Sequence, residues 1–304
     1  MFTNHFSRTI VIGRACLIGL LGLLSGHSEA PPKFNPPKTY YLALGDSIAY
    51  GYQAFKARAG LPPSAFNTGY VDVFAAHLRE ISRGIRTVNY GCPGESTESF
   101  FNGPCIWTET GHQLHDTFRG SQLQAAITFL RAYRGEVSPI TLTLGTNDQP
   151  KLLGPCTSNG QIDLACVQNG APAFIAGLAQ RLSSILDQLR SAAPDAEIIL
   201  TGVWDPYFDL LPFTDPLFQA FNASMAQAAA ARRVRYADPF PIFNLQGDLT
   251  TEMKTLCMLT LFCADHDSHP SDAGCRALAS LVFEVSGTAG LMSGKAKAAV
   301  KKST

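Results

Sequence analysis

The first candidate for chemistry is Ser47, in the segment "YLALGDSIAYGY" that runs from Tyr41 to Tyr52. Apolar and aromatic residues lead into Gly-Asp-Ser and a helix-like run follows, so this serine lies where a strand is expected to pass into a helix. The N–H groups of such a helix start can point at the serine oxygen, and Gly45 permits the tight turn that presents it. Asp46 and Ser47 are equally typical of helix caps, so this motif alone leaves two interpretations open.

Two further segments can supply hydrogen-bond donors for a negatively charged oxygen. In "NYGCPGESTESF", Gly91 and Gly94 flank Cys92-Pro93, and a glycine lets a backbone N–H approach a ligand closely. In "LGTNDQP", Asn147 can donate from its side-chain amide without carrying a charge. An ordinary loop and an Asn-Asp turn are the structural alternatives for these two segments.

A candidate base lies near the C-terminal end, in "CADHDSHPSDAGCRALA". His269 can accept the proton of a serine hydroxyl and later return it to a leaving group. Asp267 and Asp265 are near enough in sequence for either carboxylate to orient the imidazole, and Pro270 restrains the local backbone. A lone surface histidine is usually inert, so the significance of His269 depends on the other three segments.

Each of these segments follows a predicted strand. Short apolar runs predict strands at Tyr40–Gly45, Arg86–Gly91, Pro139–Gly145, Glu197–Trp204 and Val234–Asp238. Helices between them are predicted by apolar residues that repeat at helical spacing, namely Val71, Phe74, Ala75, Leu78 and Ile81, and then Ile175, Leu178, Leu182, Ile185, Leu186 and Leu189. This alternation predicts an α/β fold with a parallel sheet of about five strands, in which sites form beyond the carboxyl ends of the strands.

Together the segments resemble the SGNH, or GDSL-type, family of serine esterases and lipases. The matching blocks span nearly the whole core in the family's order, and they are "GDS" at 45–47, "NYGCPGEST" at 89–97, "GTND" at 145–148 and "DSHPSDAG" at 267–274. The resemblance implies a flavodoxin-like three-layer α/β/α sandwich and serine-dependent ester hydrolysis that needs no metal or cofactor. It also implies that Ser47 is the nucleophile and His269 the general base. The oxyanion hole would consist of the N–H groups of Ser47 and Gly94 and the side chain of Asn147.

The sequence departs from the family at the third position of the triad. Many members place the aspartate three residues before the histidine, where this chain has His266. Asp267, two residues before, occurs in a variant form of the block and is our candidate. Asp265 is the second choice, and a backbone carbonyl that orients the imidazole is the third. Gly94 is preferred to Gly91 as a donor because an acidic residue and a serine follow it, as in many members.

Composition and the two chain ends suggest where the protein works. The chain has 304 residues, and 24 basic residues balance 24 acidic ones, so there is no general electrostatic reason to expect nucleic acid as a partner. Residues 1–28 resemble an export signal, because Arg8 and Arg14 precede a short apolar run, which predicts a secreted or periplasmic protein without a stable membrane anchor. We expect a Pro-rich leader at 29–38, a hydrolase domain at 39–286, a flexible basic tail at 287–304, and a monomer.

Cysteine usage agrees with export to an oxidising compartment. Pairs that are near in sequence predict three disulfides, Cys92 with Cys105, Cys156 with Cys166, and Cys257 with Cys263. Cys275 is then left as a buried free thiol. Cys257, Cys263, His266 and His269 also have the residue types of a zinc site, but the spacing of the two cysteines is unusual for zinc.

The sequence leaves the substrate open. Many apolar residues follow the strands, and they suit either an acyl-chain cleft or loops packed on the core: Phe100, Phe101, Ile106, Trp107, Trp204, Tyr207, Phe208, Leu210, Leu211, Phe213, Met258, Leu259, Leu261 and Phe262. The substrate is therefore a small-molecule or lipid ester, or alternatively an acetylated glycan or cell-wall sugar. A non-catalytic exported binding module on the same fold is the remaining alternative.

Overall fold

The computed structural model describes residues 32–206, 214–245 and 249–291. The strands within these ranges are β1 (Tyr40–Gly45), β2 (Arg86–Asn89), β3 (Val137–Thr143), β4 (Thr157–Ser158), β5 (Gln161–Ile162), β6 (Ile198–Thr201), β7 (Arg235–Ala237), β8 (Thr260–Leu261) and β9 (Asp267–Pro270). The helices are α1 (Ser47–Tyr50), α2 (Ala54–Arg58), α3 (Tyr70–Ile81), α4 (Thr97–Asn102), α5 (Ile106–Glu109), α6 (Gln122–Ala132), α7 (Pro150–Leu153), α8 (Leu164–Ala192), α9 (Asp215–Ala230), α10 (Phe240–Phe243), α11 (Leu249–Leu259), α12 (Phe262–Asp265) and α13 (Asp272–Val285).

A central sheet of five parallel strands organises the molecule, in the order β2-β1-β3-β6-β7. This confirms the predicted parallel α/β architecture and all five predicted core strands. The chain moves from β1 to one edge and returns to β3 on the other side, so the direction of winding changes between β1 and β3. In such sheets the crevice at this switch lies beyond the carboxyl ends of the two strands. Ser47 follows β1 and Asn147 follows β3, so both candidate residues belong to that crevice.

Alternating residues of each strand face two separate apolar cores. In β1, Leu42 and Leu44 pack into the core beneath α6, α8 and α9, whereas Tyr41 and Ala43 pack into the core beneath α3, α11 and α13. β3 is buried along its whole length, as expected for a strand covered on both faces. The two helical layers therefore close on the sheet from opposite sides and form the predicted three-layer sandwich.

The helices agree with the predicted periodicity but differ in extent. The pattern around Val71 and Leu78 lies in α3, whose buried face includes both residues. The pattern from Ile175 to Leu189 is the second part of α8, a helix of 29 residues. The carboxylate of Asp163, the residue before the helix, caps it by accepting from the N–H groups of Ala165 and Cys166. Sequence patterns did not predict the small hairpin β4–β5 or the pair β8–β9, because strands of two to four residues carry no readable periodicity.

The three cysteine pairs expected from their proximity in sequence are disulfide-bonded in the structure. They are Cys92–Cys105, Cys156–Cys166 and Cys257–Cys263. Cys275 is a free, buried cysteine on α13, again as expected. Each disulfide closes a loop of the active-site side of the sheet, where long connections leave the core strands.

The residues directly after α13 contact the rest of the domain. The Gly287 N–H donates to Glu197 Oε1 at 2.7 Å and Thr288 is buried, while the flexible tail at 287–304 stays a prediction. Glu197 also forms an ion pair with Arg235, so a buried carboxylate anchors this part of the chain. The export signal at 1–28, the first residues of the leader and the rest of the tail lie outside the described residues, while residues 32–38 form neither helix nor strand. Among the described helices, none has the length and apolar character needed to cross a bilayer.

Shortening a buried side chain of the central strand β3 should test whether the packing of the apolar cores stabilises the fold. Leu142 of β3 is fully buried, so Leu142→Ala leaves a cavity and should lower the free energy of unfolding by roughly 2–5 kcal/mol. Leu61 is 44% exposed, and Leu61→Ala is the matched control, with an expected change below about 0.5 kcal/mol. Urea unfolding followed by circular dichroism measures both; equal losses for the two variants would contradict the arrangement.

Candidate active site

Ser47 stands at the first position of α1, directly after the turn that ends β1. Asp46 caps this helix, since its Oδ1 accepts from the Ile48 N–H at 3.0 Å and from the Thr143 hydroxyl at 2.9 Å. The turn requires a glycine at position 45, because a Cβ there would lie 2.0 Å from the Thr143 carbonyl oxygen. The helix cap is therefore made by Asp46, and the Ser47 hydroxyl is not used by the cap.

The structure brings Ser47, His269 and Asp267 into one hydrogen-bonded series. His269 Nε2 lies 2.9 Å from Ser47 Oγ, and His269 Nδ1 lies 2.5 Å from Asp267 Oδ1. An ionised carboxylate only accepts, so Nδ1 carries the hydrogen and Nε2 is left to accept from the serine hydroxyl. The arrangement can therefore take a proton from Ser47 while a carboxylate supports the imidazolium that forms.

Asp267 is held as an ionised acceptor. Its Oδ2 accepts from the Ala54 N–H at 2.7 Å, and its Oδ1 accepts from the His269 N–H at 3.1 Å. Burial by itself raises the pKa of this carboxyl, but the hydrogen bonds and the facing imidazole outweigh burial and hold the pKa below its usual value. Asp265, the second choice for the acid, instead pairs with Arg58. The backbone between the two aspartates turns at His266, which has φ of 52°.

The two residues Tyr52 and Gln53, which follow α1, contact the segment that contains His269. The sequence patterns did not predict these contacts. The ring of Tyr52 lies 4.6 Å from the imidazole of His269, centroid to centroid. Gln53 is buried and its side-chain amide donates to the Pro270 carbonyl at 3.3 Å and to Asp272 at 3.2 Å. These contacts fix the histidine segment against the serine segment across 222 residues of chain.

The two glycines of the second block have different roles. The Gly91 N–H is already used, since it donates to Asn89 Oδ1 at 2.8 Å, and a Cβ at Gly91 would lie 2.5 Å from the backbone nitrogen of Tyr50. Gly94 adopts φ of 87°, and among the described residues its N–H, like that of Ser47, meets no acceptor. Gly94 is thus the glycine whose N–H remains available to a ligand.

Asn147 reaches the same loop from the end of β3. One hydrogen of its side-chain amide goes to the Glu95 carbonyl at 3.0 Å, so the other remains for a ligand. The neighbouring Asp148 is fully buried and holds Thr97, accepting from its N–H at 2.8 Å and its hydroxyl at 2.6 Å. The second and third blocks are therefore bonded to each other by consecutive residues.

Two buried acids near the turn were not singled out from the sequence as site residues. Burial raises the pKa of Asp46 to about 6, against the hydrogen bonds from Ile48 and Thr143. Burial likewise raises the pKa of Glu95 to about 7, against hydrogen bonds that include one from Gln122. Gln122 is buried as well and donates to Glu95 Oε2 at 3.0 Å. The sequence offered no signal for Gln122, which lies in an ordinary amphipathic helix.

The cysteines of the zinc alternative are bonded to each other. Cys257 and Cys263 form a disulfide, so their sulfurs are not free as thiolate ligands. His269, another member of that set, is engaged by Asp267 and Ser47. In the part of the chain that the structure describes, no group of three or more histidine, cysteine or acidic residues is arranged to hold a metal ion.

Comparison with known proteins agrees with this geometry. The GDSL-like Lipase/Acylhydrolase family matches residues 43–277, and the chain belongs to this family. No curated protein sequence matches the chain. The matched residues include all four blocks that carry the candidate site.

Solved structures with the same fold include both lipases and a carbohydrate esterase. An extracellular lipase from Streptomyces rimosus aligns with a TM-score of 0.52 at 17% identity, over 81% of this chain and 99% of that one. A lipase from a goat rumen metagenome aligns with a TM-score of 0.55 at 16% identity, over 82% and 99% of the two chains. An acetylxylan esterase from Geobacillus stearothermophilus aligns with a TM-score of 0.53 at 18% identity, over 84% and 96%. At these identities the similarity establishes the fold.

The two aspartates near His269 should differ in their effect on ester hydrolysis. Asp267→Asn removes the carboxylate that orients the imidazole and should lower kcat by roughly 10³- to 10⁴-fold. Asp265→Asn breaks only the ion pair with Arg58 and should leave kcat within about threefold of wild type. Hydrolysis of nitrophenyl acetate, with thermal unfolding as the check on folding, measures both. The opposite ranking would move the acid to Asp265, and no loss in either would favour a backbone carbonyl.

Proposed function

We propose that this protein is a secreted serine hydrolase that cleaves carboxylic esters, with Ser47 as nucleophile, His269 as base and Asp267 as the supporting acid. The observation that carries the proposal is the hydrogen-bonded series from Ser47 Oγ through the imidazole to Asp267. Three residue types from opposite ends of the chain have the contacts and the polarity that acyl transfer requires. The reaction needs no cofactor or metal, because nucleophile, base and donors are all side-chain or backbone groups.

In the first half of the reaction, Ser47 Oγ attacks the carbonyl carbon of the ester as its proton passes to His269 Nε2. The carbonyl oxygen becomes negatively charged and accepts hydrogen bonds from the N–H groups of Ser47 and Gly94 and from the Asn147 amide. Asp267 stabilises the imidazolium. His269 then returns the proton to the departing alkoxide, and the acyl group stays on Ser47.

In the second half, water takes the place of the alcohol. His269 removes a proton from the water as its oxygen attacks the acyl carbon, and the same three donors stabilise the second oxyanion. Collapse of this intermediate returns the proton to Ser47 Oγ and releases the carboxylic acid. Each half therefore uses the same groups, which explains why one compact site suffices.

Export is supported by the cysteines and by the N-terminal sequence. Six cysteines are paired in three disulfides, which persist in oxidising compartments and are rare in the cytosol. Arg8, Arg14 and the short apolar run after them have the order of a signal peptide. The proposed working place is therefore outside the cytoplasm, on small-molecule or lipid esters.

An apolar cavity of about 70 Å³ favours a substrate with a hydrocarbon acyl group. Gln149, two residues beyond Asn147 in the chain, lines this cavity. Most of the wall is apolar side chains of α7, α8 and α9, among them Leu152, Leu153, Val167, Phe218 and Phe221. Several other apolar residues named from the sequence are instead buried in packing, including Phe100, Trp204 and Leu259. Residues 207–213, which include the candidates Tyr207, Phe208 and Phe213, lie outside the described residues.

Hydrolysis of nitrophenyl esters with acyl chains from two to sixteen carbons, beside acetylated xylan, should define the function. Wild type should hydrolyse the esters, and Ser47→Ala should lower kcat by roughly 10⁴-fold or more while thermal unfolding stays unchanged. A preference for acetylated glycan over every nitrophenyl ester would select the carbohydrate O-acetyl esterase. Zero activity of wild type on the whole panel would refute the hydrolase and favour an exported binding module.

A charged side chain in the wall of the apolar cavity should lower activity on esters with long acyl chains more than on esters with short ones. Leu153→Glu places a carboxylate in the wall, so kcat/KM for octanoyl esters should fall by roughly tenfold or more while kcat/KM for acetyl esters stays near wild type. Leu61→Glu, on an exposed position away from the cavity, is the matched control. An equal loss for both chain lengths would show that the cavity does not hold the acyl group.

A further inference from the structure

Gln122 holds the turn before the nucleophile at both of its backbone groups. Its Oε1 accepts from the Gly45 N–H at 2.6 Å, and its Nε2 donates to the Gly45 carbonyl at 2.9 Å. Because the backbone N–H can only donate and the carbonyl can only accept, Gly45 determines which way the amide of Gln122 is turned. The second hydrogen on Nε2 is then directed at Glu95 Oε2, 3.0 Å away. The amide oxygen and both amide hydrogens of this buried side chain therefore each have a partner.

Glu95 connects that amide to the other two donor positions. Its side chain accepts from Gln122, its backbone carbonyl accepts from Asn147 Nδ2 at 3.0 Å, and Gly94 is its immediate neighbour in the chain. A displacement of Glu95 would therefore move Gly94 and release Asn147 at the same time. The side chain is fully buried between these partners and has no exposure to solvent.

We propose that Gln122 and Glu95 are positioning residues that fix the three oxyanion donors, Ser47 N–H, Gly94 N–H and the Asn147 amide, relative to one another. The inference rests on the proposed function. Neither side chain touches substrate: Gln122 acts through the Gly45 turn, and Glu95 acts through Gln122 and its own backbone. The three donors come from the ends of β1, β2 and β3, and this pair of side chains bridges the loops that carry them.

The charge of Glu95 is compatible with this role. Burial raises its pKa to about 7, and the charged group that faces it is Asp46, which raises the pKa further. Gln122 on α6 and Ser99 on α4 face the carboxyl as neutral groups. Both the neutral and the ionised carboxyl offer an oxygen to the Gln122 amide, so the contact does not depend on the proton.

Kinetics of paired variants test the proposal. Gln122→Leu removes both bonds to Gly45 at nearly constant volume, so kcat should fall by roughly 10- to 100-fold with KM unchanged, because the donors shift but substrate contacts remain. Glu95→Leu should give a similar loss, whereas Glu95→Gln, whose amide oxygen still accepts from Gln122, should recover at least about tenfold of that loss. Gln124→Leu, two residues along α6 on its exposed face, is the matched control and should behave as wild type.

Amide hydrogen exchange gives a readout that does not depend on activity. In Gln122→Leu the Gly45 N–H loses its acceptor and should exchange at least about tenfold faster, and in Gln124→Leu it should not. If wild type hydrolyses no ester, the proposed function fails and exchange alone decides the positioning of the turn. Unchanged exchange at Gly45 in Gln122→Leu, or a rise in KM with kcat unchanged, would overturn the inference.

Discussion

The position of Ser47 depends on a contact that leaves no space for a side chain at Gly45. A Cβ on Gly45 would lie 2.0 Å from the Thr143 carbonyl oxygen, so only glycine lets β1 end this close to β3. Its φ of 124° is also a conformation that side chains disfavour. The Asp46 N–H then donates to the same carbonyl at 3.1 Å, which continues the ladder between the strands by one bond. From this turn follow the cap by Asp46 and the direction of α1, whose first N–H, that of Ser47, meets no acceptor among the described residues.

Much of the fold could be predicted because the five core strands and the long helices α3 and α8 have apolar patterns that can be read locally. Apolar runs predicted the five core strands. Gly94, Asn147 and His269 follow separate predicted strands, and the rule that sites form at the carboxyl ends of a parallel sheet predicted that they lie together. Gln122 could not be found in this way, since it lies in a helix and meets Gly45 across 77 residues. The choice between Asp267 and Asp265 depends on the left-handed turn at His266, a backbone angle that sequence spacing does not encode.

The carboxyl groups of Asp267, Asp46 and Glu95 are buried at the candidate site, and their surroundings shift their pKa values in different directions. Asp267 receives hydrogen bonds from two N–H groups of the backbone and from an imidazole, which together favour its ionised form. Asp46 and Glu95 have fewer compensating donors than their burial demands, so their pKa values rise to about 6 and about 7. Asp267 is thereby held as an ionised group next to His269. Asp46 and Glu95 can each gain or lose a proton near neutral pH.

Ser47 and His269 are 222 positions apart in the chain, which bears on the order in which the proposed site is completed. A growing chain presents the serine turn early, but the imidazole and the carboxylate that contacts it arrive only with β9, next to the last helix in our numbering. Under the proposed function, a chain that lacks β9 has the Ser47 hydroxyl without its base. Reactivity toward esters would then belong to the folded molecule that contains both ends of the domain.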